Sequence, residues 1–122
     1  MKRFSRPVIA AIDDAGIMGI KAGSDHKFIG VWPVVVAGRV YARSWGLRRD
    51  GWYRAFLEDP RGTIQIGDRE IRVRAVRARS ERIRDKVEAA YAAKYDTKAS
   101  QKWVRGFRTE RRRDATMEFV PR

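Results

Sequence analysis

Apolar and polar residues along the chain follow two different periods, one helical and one alternating. Helical spacing comes first, in RPVIAAIDDAG, with Ser5 as N-cap, Pro7 in the first turn and Gly16 at the end. The stretch IMGIKAG at 17–23 then favours a β-strand. The pattern thus predicts an N-terminal helix within residues 1–16, followed by a strand.

The most apolar stretch is the run Phe28–Ala37. With a turn at Gly38 and a return strand Arg39–Ser44, it predicts a β-hairpin. An unbroken apolar run indicates burial on both faces, as in a barrel wall covered by a helix or by a second subunit. Pro33 cannot donate a ladder hydrogen bond, so it should lie at a bulge or an unpaired stretch. Because the second face needs the N-terminal helix or a partner subunit, we expect a homodimer.

The rest of the chain adds two helices and three strands. Asp50 is a candidate N-cap for a helix over 51–59, which Pro60 ends. The stretch GTIQIGDREIRVRAVRA predicts a hairpin turning at Gly67-Asp68, and a shift in its alternation predicts a β-bulge near Ala75–Val76. Ser80 should cap a helix over 81–95, and residues 115–120 form a closing strand after the poorly patterned, basic segment TKASQKWVRGFRTERRRD.

This order of elements, α-β-β-β-α-β-β-α-β, is typical of an antiparallel fold with interposed helices. We therefore predict one α+β domain over residues 1–122, mainly β, with the barrel strands within 17–79. A length of 122 residues is enough to bury a core without disulfides or metal.

The formal charge of +13 favours a polyanion or a phosphorylated ligand as partner. The chain has no cysteine, which excludes disulfides and thiolate metal sites. The apolar part of MKRFSRPVIAAIDD is too short for a secretory signal or a membrane span, so a soluble, cytoplasmic protein is expected.

Acid–base and metal chemistry have little support in the sequence. His26 is the only histidine, and neither a nucleophile–base pair nor a metal-spaced cluster can be built around it. No nucleotide-binding glycine motif is present, and the ten glycines are interpreted as turn residues. We predict no metal site and name no catalytic residue.

Basic residues suggest two kinds of site. Arg43 and Ser44 end a strand, and Arg48 and Arg49 follow in a loop before the helix that begins after Asp50, an arrangement that favours a concave anion site. The alternating Arg72 and Arg74 would lie on an outer strand face. That face is either solvated or a nucleic-acid surface formed by the strand Arg69–Arg79 and the loop Arg105–Arg113. The run Arg111–Arg113 is typical of a phosphate-contacting loop but is also common on ordinary surfaces.

Several motifs then carry a family resemblance over about residues 27–122. The strand pair VWPVVVAGRVYARS, the tryptophan-led helix WYRAFLEDP, the hairpin TIQIGDREIRVRAV, the helix EAAYAAKY and the strand TMEFVPR resemble the split-barrel flavin-binding superfamily. That superfamily includes pyridoxamine-phosphate-oxidase-like and deazaflavin-dependent nitroreductase-like proteins. One departure is that arginines follow the serine-led loop where the relatives usually have a lysine or a glycine-rich pattern.

The resemblance implies a six-stranded antiparallel split barrel, usually dimeric, with FMN or a deazaflavin in a groove between subunits. It implies that the backbone of Trp32, Pro33 and Val34 faces the isoalloxazine, and that Arg43, Ser44, Arg48 and Arg49 hold the phosphate. Trp52 would pack rather than bind. The leading hypothesis is therefore a flavin- or deazaflavin-dependent oxidoreductase-like protein, and the alternatives are a basic nucleic-acid-binding domain or a split barrel that has lost its cofactor.

Overall fold

A computed structural model describes residues 2–23 and 27–122, so His26 lies outside the described residues. The helices are α1 (Arg6–Asp14), α2 (Trp52–Glu58), α3 (Glu81–Lys94), α4 (Gln101–Gly106) and α5 (Glu110–Asp114), with a 3-10 turn at Lys98–Ser100. The strands are β1 (Met18–Ala22), β2 (Ile29–Val31), β3 (Val34–Val36), β4 (Arg39–Arg43), β5 (Arg61–Ile66), β6 (Arg69–Arg77) and β7 (Thr116–Pro121).

The described strands form one antiparallel sheet in the order β2-β1-β5-β6-β7-β4-β3. The prediction of a mainly antiparallel α+β fold is confirmed, but the predicted number of six strands is wrong, because the sheet has seven. The additional strand arises where the apolar run Phe28–Ala37 divides at Trp32 and Pro33 into β2 and β3.

Strands β2 and β3 lie at opposite ends of the strand order although only residues 32 and 33 separate them in sequence. The chain from Val31 to Val34 spans at most about 11 Å, so the sheet must curl until its two edges are close, which gives a half-barrel. Pro33 lies in the unpaired link, as its missing N–H predicts.

Side chains of α3 and its C-cap bind the backbone of this link. The Tyr91 hydroxyl donates to the Trp32 carbonyl at 2.7 Å, and the Pro33 carbonyl lies 2.8 Å from Lys94 Nζ and 2.9 Å from the Tyr95 hydroxyl. Burial raises the pKa of both tyrosine hydroxyls, which keeps them protonated as donors. The carbonyls at the split between the two sheet edges are therefore satisfied from one helix.

Two apolar clusters lie on the two faces of the sheet. The first fills the inside of the half-barrel with residues such as Val40, Val73 and Phe119, and the second lies under α3 and α4. Adjacent residues Val34 and Val35 pack against different clusters, so the predicted burial of this run on both faces is confirmed for β3. It is wrong for β2, where Ile29 and Gly30 are exposed and only Val31 is buried. The outer face is covered by α3 of the same chain, because that helix has an apolar stripe and α1 packs with the inner cluster instead.

The predicted caps at Ser5 and Ser80 are confirmed, since their hydroxyls accept from the N–H groups of Val8 at 3.4 Å and Ile83 at 3.3 Å. The predicted cap at Asp50 is wrong. Gly51 is the N-cap of α2 and makes no side-chain hydrogen bond, while Asp50 pairs with a neighbouring arginine in solvent.

The predicted bulge near Ala75–Val76 is also wrong. Pairing of β6 with β7 runs without interruption from Val73↔Pro121 to Arg77↔Met117. Val76 faces outward and is 43% exposed, so the change in the apolar pattern reflects an exposed valine rather than an inserted residue.

None of the helices in the described part of the chain is long and apolar enough to cross a membrane. Within residues 2–23 and 27–122, no group of three or more histidine, aspartate or glutamate side chains is placed to hold a metal ion.

Candidate functional site

A groove of about 360 Å³ lies beside the split between the two sheet edges. It is lined by Gly30, Val31, Trp32, Arg43, Trp45, Gly46, Trp52, Trp103 and Phe107. These include all four tryptophans of the chain. A concave site with several aromatic walls and few polar groups is typical of a small-molecule pocket, and the volume falls within the usual range of about 300–1,000 Å³.

The four tryptophans come from four separate parts of the fold. Trp32 lies in the link between β2 and β3, Trp45 follows β4, Trp52 begins α2, and Trp103 lies in α4. The curled sheet and the helices packed on it bring these segments together. The groove is thus a product of the tertiary fold rather than of one sequence motif.

Trp32 is held by stacking on Tyr95, with ring centroids 4.3 Å apart and an angle of 8° between the planes. The Tyr95 hydroxyl is itself 3.0 Å from the Gly16 carbonyl and 2.9 Å from that of Pro33. One face of the Trp32 indole is therefore occupied by Tyr95, and Phe107 makes a further edge contact at 6.4 Å, so the ring is held in position at the groove wall.

Trp45 is fixed from several sides. The Arg112 guanidinium carbon lies 3.7 Å from the ring centroid, Arg112 Nε donates to the Trp45 carbonyl at 2.9 Å, and the rings of Trp103 and Phe107 make edge contacts at 4.8 and 5.5 Å. A Cβ atom on Gly106 would overlap the end of the indole. Gly106 thus provides space for Trp45, which shows that the interpretation of all ten glycines as turn residues is wrong.

Arg43 is the charged residue of the groove wall, and its side chain is fully buried. Its Nε donates to Thr116 Oγ1 at 2.8 Å, and its terminal nitrogens donate to the carbonyls of Phe107 at 2.9 Å and Arg84 at 3.1 Å and to Glu88 at 3.2 Å. Burial lowers the pKa of the guanidinium, and the Glu88 carboxylate acts in the opposite direction. Four of the five N–H donors are therefore used within the protein, and the side chain has no exposed surface.

The other predicted clamp residues are not gathered around Arg43. Ser44 is buried and its hydroxyl donates to the Gly46 carbonyl, within its own loop. Arg48 and Arg49 are exposed, and Arg48 pairs with Asp50 at 3.6 Å. The structure brings Trp32 and Arg43 together at the groove, keeps Pro33 and Val34 buried behind it, and leaves Arg48 and Arg49 in solvent.

The three arginines of the run Arg111–Arg113 have three different environments. Arg111 lines a separate cavity, Arg112 covers the Trp45 ring, and Arg113 contacts the carboxylates of Glu81 at 2.8 Å and Asp85 at 2.9 Å and that of Glu88. These carboxylates raise the pKa of Arg113, and Arg113 in turn lowers the pKa of Glu81. The run is therefore not a single phosphate-contacting loop: Arg113 joins α5 to α3.

Arg72 and Arg74 are exposed on the outer face of β6, as predicted. Neither lines the aromatic groove. Nucleic-acid binding through this face stays a prediction.

Three aromatic residues of the groove, Trp45, Trp103 and Phe107, are not among the predicted site residues, and the family resemblance implies only a packing role for Trp52. Trp52 does pack against Phe119, with centroids 6.1 Å apart, but it also lines the groove. A usable signal is the position of Trp45 directly after the predicted clamp residues Arg43 and Ser44. Nothing in the spacing of Trp103 or Phe107 points to this site.

Several solved structures have a similar fold. A conserved hypothetical protein from Mycobacterium tuberculosis aligns with a TM-score of 0.64 and 13% identity, covering 99% of this chain and 82% of that one. A putative pyridoxamine 5'-phosphate oxidase from Listeria innocua aligns with a TM-score of 0.63 and 13% identity, covering 94% of this chain and 90% of that one. A FAD-binding protein from Mesorhizobium loti aligns with a TM-score of 0.57 and 10% identity, covering 97% of this chain and 88% of that one.

At these identities the likeness concerns the fold alone. No curated protein matches the sequence. A family match extends over residues 8–119, nearly the whole chain. The chain therefore belongs to the bacterial family described as "Uncharacterized protein conserved in bacteria (DUF2255)".

Proposed function

We propose that the aromatic groove binds a flavin-type cofactor, FMN or a deazaflavin, and that the protein is oxidoreductase-like within the split-barrel flavin-binding superfamily. The observation that carries the proposal is the convergence of all four tryptophans on one groove of about 360 Å³. The fold shared with a putative pyridoxamine 5'-phosphate oxidase and a FAD-binding protein supports it.

The groove fits a planar ring system. Aromatic walls gain free energy from burying a flat, apolar ring, and offset or edge contacts between rings add to this. Gly30 and Gly46 have no side chains, so the backbone forms part of the wall and can donate to or accept from ring substituents. Because Trp32 and Trp45 are already held by Tyr95 and Arg112, little side-chain freedom would be lost on binding.

The phosphate of such a cofactor needs donors that are not already engaged. Arg43 has at most one unengaged N–H, and its side chain has no exposed surface. Arg49 and Arg48 lie on the loop that continues from the groove residues Trp45 and Gly46, and both are exposed. We therefore assign the phosphate contact to Arg49 and, once its solvent-exposed pair with Asp50 is released, to Arg48, while Arg43 acts through its charge.

When bound, a flavin or deazaflavin supplies the hydride chemistry. The residues of this chain orient the ring between indoles, exclude water from part of the groove, and place the buried positive charge of Arg43 at its wall. A preorganised charge of this kind stabilises negative charge that develops on a neighbouring ring.

Titration with FMN and riboflavin tests the proposal. Purified protein should quench flavin fluorescence saturably, and Trp103→Ala should weaken binding of both ligands about tenfold or more, since loss of one stacking aromatic costs about 1–3 kcal/mol. Trp103→Phe keeps a ring in the wall and is the matched control. Arg49→Gln should reduce the affinity for FMN while leaving that for riboflavin, which lacks the phosphate, within about twofold.

Absence of saturable binding to FMN, riboflavin and a deazaflavin would contradict the proposal. Equal affinities of the wild type and Trp103→Ala would place any flavin outside the groove. Arg72→Gln removes the same charge as Arg49→Gln but lies on the outer face of β6, so equal losses from these two variants would indicate general attraction rather than a phosphate contact.

A homodimer is part of the proposal. Ile17 and Ile29 are 65% and 46% exposed, and the side chain of Ile17 lies against Gly30 of the groove wall. Apolar surface beside the groove is suited to a second subunit. Light scattering at micromolar concentration should give a dimer that Ile17→Asp shifts toward monomer; a wild-type protein that is a stable monomer would refute this part.

A further inference from the structure

A second cavity, separate from the aromatic groove, lies on the other side of the loop and helix that carry Trp45 and Trp52. Its volume is about 260 Å³, and it is lined by Leu47, Tyr53, Arg54, Leu57, Arg77, Arg111, Asp114 and Ala115. None of these residues lines the groove. Residues adjacent in sequence therefore line two different sites. Gly46 and Trp52 line the groove, whereas Leu47 and Tyr53 line the cavity.

Positive charge in this cavity exceeds its negative charge. Arg54 and Arg111 are exposed and have no ion-pair partner among the described residues. The single carboxylate, Asp114, is bound mainly by Arg84 at 2.9 Å and lies 3.9 Å from Arg77. Three guanidinium groups thus line the cavity beside a single carboxylate, which is bound mainly by a fourth arginine, Arg84.

Arg77 supplies an independent observation. Its Nε is buried and has no hydrogen-bond partner in the described part of the chain. Buried donors in folded proteins are nearly always satisfied, so an unpaired one beside a cavity indicates an acceptor that the protein itself does not provide. The guanidinium, with its fixed fork of donors, is suited to a carboxylate or phosphate oxygen.

The apolar part of the cavity restricts the ligand further. Tyr53 and Ala115 are 8% and 1% exposed, and Leu47 and Leu57 contribute aliphatic surface. The Tyr53 hydroxyl is directed to the Asp114 carbonyl at 3.1 Å, so its ring presents apolar surface. A site with three arginines and an aliphatic and aromatic lining matches a ligand that has an anionic group and a small apolar body.

We propose that this cavity binds a small amphipathic anion, a carboxylate or phosphate monoester attached to a single ring or a short alkyl chain. Arg77, Arg111 and Arg54 bind the anionic group, and Leu47, Tyr53 and Leu57 contact the apolar body. The volume of about 260 Å³ is below the range of about 300–1,000 Å³ for drug-sized pockets, which restricts the body to about one ring. The proposal does not depend on flavin binding, because it uses different residues.

Calorimetric titration with phenyl phosphate, in buffer free of phosphate and sulfate, tests this site. Phenyl phosphate should bind saturably and at least tenfold more tightly than inorganic phosphate, which lacks the ring, and than benzyl alcohol, which lacks the charge. Benzoate as a further probe decides between the two anionic groups: tighter binding of phenyl phosphate assigns a phosphate monoester, and tighter binding of benzoate assigns a carboxylate.

Charge-matched variants locate the site. Arg111→Gln and Arg54→Gln, both at exposed positions, should weaken phenyl phosphate binding about tenfold, and Arg77→Gln should do the same where it folds. Arg108→Gln removes the same charge near α5 but outside the cavity, and should change the affinity by less than twofold. No saturable binding, no preference over benzyl alcohol, or an equal loss from Arg108→Gln would overturn the proposal. Flavin titration of the same variants should be unchanged, so the two proposals can fail separately.

Discussion

Replacing Arg43 with methionine should lower the free energy of unfolding by about 3–5 kcal/mol, the range for removing one partner of a buried ion pair. The guanidinium joins β4 to β7 through Thr116, to α3 through Glu88 and the Arg84 carbonyl, and to the end of α4 through the Phe107 carbonyl. Methionine fills similar volume but leaves these buried acceptors without donors. Urea unfolding followed by circular dichroism measures the change.

Two further variants separate the loss of the Arg43 hydrogen bonds from the loss of a positive charge alone. Arg43→Lys keeps the charge but has three donors for four acceptors, so its loss of stability should be intermediate. Arg108→Met removes an exposed arginine and should change the free energy of unfolding by no more than about 0.5 kcal/mol. If Arg43→Met were as stable as Arg108→Met, Arg43 would not be the residue that holds the two helices on the sheet.

Substituting Gly62 with alanine should destabilise the protein by about 3 kcal/mol, near the upper end of the usual cost of overpacking. A Cβ atom at this position would overlap the Lys21 carbonyl oxygen and lie 2.6 Å from the Phe56 ring. The first contact is with backbone of the paired strand β1, which cannot move without disturbing the ladder. Phe56 belongs to α2, so the clash also displaces the helix that carries Trp52, and affinity at the proposed flavin site should fall together with stability.

Gly16→Ala is the matched control for Gly62→Ala. No atom lies within 4 Å of a Cβ at Gly16, and its backbone is not in the left-handed region. This variant should leave stability unchanged or raise it by about 0.4–1 kcal/mol, because alanine restricts the unfolded chain. Equal midpoints of unfolding for the two glycine variants would show that α2 is not packed closely on β5.

The features that sequence predicted well depend on local chemistry. A side-chain oxygen at Ser5 or Ser80 caps a helix through an N–H three residues away, and Gly38 adopts a φ of +76° in a tight hairpin turn. Each of these needs only neighbouring residues. The antiparallel arrangement and the order of the main elements followed from the same short-range signals.

The short helices α4 and α5 show where local signals were too weak. They have six and five residues, below the length at which helices are stable alone, and they lie in a segment rich in arginine and lysine. Val104 and Phe107 are buried in the cluster under α3, so packing stabilises this segment. A sequence period read over only one and a half helical turns could not show that these residues are buried.

By itself, the sequence determined the caps, the hairpin turns, the alternation of the strands and the excess of positive charge, because each depends on residues close together in the chain. The tertiary structure decided which arginines are available to a ligand. Arg43 is buried and donates to internal acceptors, whereas Arg54, Arg77 and Arg111 line one cavity. It also brought Trp32, Trp45, Trp52 and Trp103 to one groove. The physical reason is that the curl of the sheet and the packing of helices on it set distances between residues far apart in sequence, and no local pattern records those distances.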